Sequence, residues 1–109
     1  MALKRLRGKM LNAEEAKKLT NDAIRRASES DEFKHAIEQI DKLVRSLADV
    51  GWSVASGRID SLAANPNGKI TYVTLRAIQA ELESKGFTWT EMAQVNYGGS
   101  VDMYEVSWK

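Results

Sequence analysis

An α+β fold is expected for this chain: two N-terminal helices, then strand, helix, strand and strand, with a three-stranded, mainly antiparallel sheet packed on the helices. Three observations predict it. Apolar residues recur at helical spacing through residues 31–50. Two stretches rich in aromatic and β-branched residues, 87–96 and 101–108, flank Tyr97-Gly98-Gly99-Ser100, as in a β-hairpin with a glycine turn. Finally, 109 residues with 43% hydrophobic and 28% charged side chains suit one domain with one modest core. Residues 1–11 are set apart as a basic arm, and 12–109 are read as the domain.

The arm carries Lys4, Arg5, Arg7 and Lys9 and no acidic residue among its first nine positions, so the formal net charge of +1 hides a mildly acidic body. Leu3, Leu6 and Met10 interleave with these charges, and Gly8 interrupts any helix. Either the segment is a solvated terminus, with Met10 a conceivable start, or it is an arm that lies on an acidic partner surface or a nucleic acid.

Asn12 opens the first helix: with Glu15 it approximates a capping box, and Glu14 and Glu15 suit the positive end of the helix dipole. Ala16, Leu19, Ala23 and Ala27, joined by Ile24, form a narrow stripe of small residues expected to meet the next helix or a second copy of this one. Ser28-Glu29-Ser30 is a break, with Ser28 or Ser30 capping the next helix.

The second helix is the organising element. Phe33, Ile37, Ile40, Val44 and Leu47 lie on one side, widened by Ala36, Leu43 and Val50. Burying such side chains is worth roughly 1.5–3 kcal/mol each, enough to anchor a small core. Gly51 stops this helix, and Trp52, Val54 and Ala55 begin a strand running to about Ile59, with Gly57 marking a bulge or an edge. Residues 60–69 form the one long irregular connection, with a turn at Asn65-Pro66-Asn67-Gly68. Residues 70–73 suggest a short extended piece, and Thr71 or Thr74 caps a third helix with Leu75, Ile78 and Leu82 inward and Gly86 ending it. The strands at 52–59 and 87–96 could pair in parallel through a right-handed crossover.

Catalytic chemistry finds little support. The acid pairs Glu14/Glu15, Asp31/Glu32 and Glu81/Glu83 lie at helix starts or on polar faces, where solvated surface is the simpler reading. The serines lack a nucleophile elbow, His35 is the only histidine, and Gly57-Arg58 and Asn67-Gly68-Lys69 are not phosphate loops. Cysteine is absent, so thiolate and sulfur-ligated zinc chemistry is excluded. No enzyme activity, cofactor or metal is expected, nor any membrane-spanning segment. Trp52, Trp89 and Trp108, one per expected strand, are first core residues and second an interaction surface. On the hairpin Phe87, Trp89, Ala93, Val95 and Tyr97 alternate on one face, interrupted by Glu91, and in the last strand Tyr104, Val106 and Trp108 share a face while Val101 and Met103 lie on the other, so neither face is wholly polar. Lys4, Arg5, Arg7, Lys9, Trp89, Met103 and Trp108 are accordingly the candidate partner-binding residues.

The opening Asn12 to Ala16, the isoleucines Ile37 and Ile40, Leu82 with Gly86, Phe87 and Thr88, and the terminal Val106, Ser107 and Trp108 together resemble small proteins of tailed bacteriophages, mostly of unassigned role. The basic arm and the 60–69 connection fall outside that pattern. The resemblance implies a phage origin and an α+β fold and transfers no catalytic residue. It leads to the expectation of a non-enzymatic virion or assembly component, such as a capsid, connector or tail accessory. Such a protein would act in a homo-oligomer or larger viral assembly, made in the host cytoplasm and carried into the virion. The alternative is an early phage protein that binds and inhibits a host factor, nucleic acid or nucleotide signal.

Overall fold

The computed structural model describes residues 10–64, 69–96 and 99–109, with side chains for all of these except 94–96 and 99–101. The arm residues Lys4, Arg5, Arg7 and Lys9 and the turn expected at 65–68 lie outside the described residues. The order is α1 (Ala13–Ala27), α2 (Asp31–Asp49), β1 (Val54–Arg58), a 3-10 turn (Ile59–Leu62), α3 (Tyr72–Ser84), β2 (Thr88–Asn96) and β3 (Gly99–Ser107). This is the expected α+β arrangement.

Local chemistry sets the helix ends. Asn12 Oδ1 accepts from the Glu15 N–H at 2.8 Å while Glu15 Oε1 accepts from the Asn12 N–H at 3.0 Å, completing the capping box. Ser30, of the two candidates, caps α2 through Phe33 N–H at 3.1 Å. Gly51 and Gly86, with φ of +95° and +91°, turn the chain out of α2 and α3 where a side chain would be strained. Thr71 occupies the N-cap position of α3, but its hydroxyl makes no capping bond. It donates instead to Glu32 Oε1 at 3.0 Å, and buried Thr74 donates to the same oxygen at 2.5 Å, tying the start of α3 to α2.

The sheet has the order β1-β3-β2, antiparallel throughout. The parallel pairing that was open to the first two strands does not form: they run the same way, but β3 lies between them and takes the hydrogen bonds of both. Ala55, Val106 and Trp89 are register partners across the sheet, as are Gly57, Tyr104 and Glu91. These two rows face the helices, and Ala55, Val106, Trp89 and Tyr104 are all buried. Against them pack Phe33, Ala36 and Ile40 of α2, Leu62 of the 3-10 turn and Ala77, Ile78 and Leu82 of α3. The opposite face carries Ser56, Arg58, Thr88, Thr90 and Met92, all exposed.

Other expectations are revised by the packing. Strand β1 starts at Val54, two residues after Trp52, and the chain enters a 3-10 turn at Ile59. Residues 70 and 71 are not in a strand, and α3 has begun by Tyr72. Gly99 and Ser100, expected in the hairpin turn, already belong to β3, with Asn96 opposite Gly99. Helix α1 packs chiefly on α3 rather than on α2, and only Ala27 of its stripe is buried. Gly57 sits in regular register on an edge strand without a bulge, and its use is steric. A Cβ there would meet the Tyr104 ring at 3.1–3.3 Å, so the missing side chain lets that ring lie over β1.

Burial raises the Tyr104 phenol above its ordinary value of 10.0. The unfolded chain therefore releases this proton first, and the contribution of the neutral phenol to stability, complete below pH 10, is lost as pH rises above that value. Denaturant titrations below and above this point should show the decline in the native chain and a smaller one in Tyr104→Phe.

Candidate interaction surface

Two long-range polar clusters join the elements. On the helix side of β2, Glu91 Oε2 accepts from Trp89 Nε1 at 2.7 Å and from Nη2 of Arg76 on α3. Arg76 Nη1 donates to Gln79 Oε1 at 2.5 Å, and its guanidinium lies 5.0 Å from the Tyr72 ring centroid. Glu91 interrupts the apolar alternation of β2 because the guanidinium and the indole N–H wait for a carboxylate there. The second cluster is Glu32 with Thr71 and Thr74.

At least one member of each acid pair also takes part in a structural contact. Glu15 belongs to the α1 cap, Glu32 to the threonines, Glu81 to Lys85, and Glu83 accepts from Gln79 Nε2 at 3.0 Å. Each of these four carboxylates thus has a structural partner of its own. Among the described residues, no group of three or more His, Asp and Glu could hold a metal ion, and no helix is long and apolar enough to cross a membrane.

The surface does offer an apolar strip. Between α2 and α3 lies a groove of about 80 Å³, with Ile40 and Leu82 at its base, Ile37, Val44 and Phe87 around them, and Asp41, Glu81 and Lys85 as its charged lining. That volume takes the tip of one side chain; small-molecule sites are several times larger. Phe87 continues the apolar surface to Trp108, whose ring meets it edge-on at 6.2 Å between centroids and 72° between planes. The Trp108 N–H donates to the Ser53 carbonyl at 3.0 Å, which brings the segment after α2 alongside. There Val50 is 69% exposed and Trp52 60% exposed. The bend that presents them is held by Trp52 N–H donating to the Leu47 carbonyl at 3.0 Å.

The candidate partner-binding residues of the hairpin are dispersed. Trp89 is 6% exposed, stacked on Tyr104 at 5.3 Å, so its expected place on a partner surface is corrected to the core. Met103 is half-buried on the opposite face, register partner to both Arg58 and Met92. Trp108 alone adjoins the strip. Sequence reasoning missed Val50 as a surface residue, having assigned it to the helix stripe, and read Trp52 first as a core residue of a strand and only second as part of an interaction surface. The available signal was position: Gly51 reverses the chain between them, and a residue beside a helix-terminating glycine leaves the face its periodicity assigns.

A second uncovered apolar feature is the first half of α1, where Leu19 is 57% exposed and Ala16 is exposed with it. Comparison with protein-family models, with curated proteins and with solved structures finds no match to this chain.

Proposed function

We propose that the chain is a non-enzymatic interaction protein of a tailed bacteriophage, a virion or assembly component that works within an oligomeric assembly. The observation that carries the interaction reading is Trp52, 60% exposed two residues after the likewise exposed Val50, in the segment whose Ser53 carbonyl accepts from the Trp108 N–H. An indole left in water beside other apolar surface favours a protein partner, because tryptophan is enriched among the few residues that dominate binding energy. The groove is sized for one anchoring side chain, which a protein partner supplies. The phage assignment rests on the resemblance of the short sequence words at Asn12–Ala16, Leu82–Thr88 and Val106–Trp108.

Native mass spectrometry of the protein isolated from its natural source tests this. Co-isolation with capsid or tail proteins is expected. Trp52→Ala should weaken that association by about 2 kcal/mol, or roughly thirtyfold, with an unchanged circular dichroism spectrum. Recovery with a host protein, nucleic acid or nucleotide would replace the assembly role by inhibition of a host function. Association unaffected by Trp52→Ala would remove the strip from the interface.

A further inference from the structure

We propose that the outer edge of β2 pairs antiparallel with β2 of a second copy of this chain about a two-fold axis, joining two three-stranded sheets into one continuous sheet. The inference rests on the oligomeric reading above and names its surface. The two edges of the sheet are not alike. Strand β1 is short, five residues with Arg58 at its end. Strand β2 runs for nine residues in unbroken one-to-one register with β3, and it contains no Pro, Gly, Lys or Arg. A short length, a basic residue, a proline and a bulge are the common guards against edge pairing, and β2 has none of them. Its single charge, Glu91, is held on the helix side by Arg76 and the Trp89 indole N–H. Among the described residues no strand lies on its outer edge.

The occupant follows from the outline of the sheet. Over Thr88–Met92 the sheet is three strands wide, because Arg58, the last residue of β1, is level with Met103 and Met92. From Met92 to Asn96 only β2 and β3 remain, a two-stranded ribbon of the kind that is marginal on its own. Met92 is thus both the step in the sheet and the midpoint of β2. An antiparallel copy centred on Met92 pairs all nine residues of each strand and lays the ribbon of one chain along the three-stranded part of the other. Any other register leaves part of each ribbon without a neighbour. The same register suits the side chains. Met92, 44% exposed on the open face, meets the partner's Met92, and the half-buried Met103 beside each extends an apolar row across the axis. Glu91 comes opposite the partner's Ala93, and the two Glu91 carboxylates, diagonal across the axis, each stay with Arg76 of their own chain. A step that fits its own copy is what an isologous two-fold interface requires.

The absence of cysteine makes a cross-linking test specific. Sedimentation equilibrium of the full chain should show a dimer. Met92→Cys should cross-link to its own copy under copper phenanthroline, since directly opposed Cα atoms of antiparallel strands lie about 4.5–5.5 Å apart, within disulfide reach. Thr90→Cys, on the same face, should not, because the register sets its two copies roughly 13 Å apart along the strands. Met92→Lys opposes like charges at an exposed position and should raise the dimer Kd at least about tenfold with native circular dichroism. A native chain that stays monomeric at its highest soluble concentration, a dimer indifferent to Met92→Lys, or cross-linking through Thr90→Cys as efficient as through Met92→Cys would each overturn the pairing. A monomer that still binds an assembly partner through Trp52 would overturn the pairing and leave the proposed function standing. A dimer cross-linked through position 92 with no Trp52-dependent partner would do the reverse.

Discussion

Trp89→Ala is expected to destabilise the chain by about 3–5 kcal/mol, while Trp52→Ala stays within about 0.5 kcal/mol, although both replace the same side chain. Trp89 is 6% exposed, stacks on Tyr104 with 9° between ring planes and donates its indole N–H to Glu91. Its removal empties part of the core and takes one of two donors from Glu91, whose other donor, Arg76, then carries the carboxylate alone. Trp52 gives up little on truncation because its ring is 60% in water. Parallel urea titrations measure the contrast. Equal losses would mean that Trp52 packs in the core and has no free surface to present.

Ile78→Ala should cost about 2–5 kcal/mol, and Ile78→Val only about 0.5–1.5 kcal/mol. Ile78 has no exposed surface and lies on α3 within the cluster that joins Phe33 and Ile40 of α2 to Trp89 and Val106 of the sheet. Close-packed surroundings relax only partly around such a deletion, so most of the lost volume persists as a cavity. In a domain of about 100 residues each kcal/mol shifts Tm by roughly 4–8 °C, so the alanine variant should melt at least about 8 °C lower by calorimetry. A smaller shift would show that α3 can close onto the sheet.

Much of the architecture was legible in local patterns. The stripe of Phe33, Ile37, Ile40 and Val44, the cap at Asn12 and the two aromatic stretches of the hairpin each depend on neighbours in sequence, and each has its counterpart in the structure. Periodicity states which face of an element is apolar, and leaves open what covers it. That is why α1 was directed to α2 or a second copy rather than to α3, and why a direct pairing of β1 with β2 stayed open. Insertion of β3 between them depends on contacts such as Gly57 with Tyr104, far apart in the chain. The candidate surface was less legible still. Alternation set Trp89 on the apolar side of β2 and Trp108 with Tyr104 and Val106 on β3, but it does not state that Trp89 is buried and Trp108 only half-buried. Met103 fell on the other face, and Trp52 emerged through the turn at Gly51.

The central place of β3 also governs when the sheet can exist. A chain emerging from the ribosome presents α1, α2, β1, α3 and β2 before either strand has a partner, because both bond only to β3. The helices can associate early through α3 with α1 and α2. The apolar rows around Ala55 and Trp89, by contrast, stay open until β3 has been made and threaded between two strands already waiting. Synthesis rate, and anything that delays release of the last element, therefore sets how long two unpaired strand edges are offered to other chains.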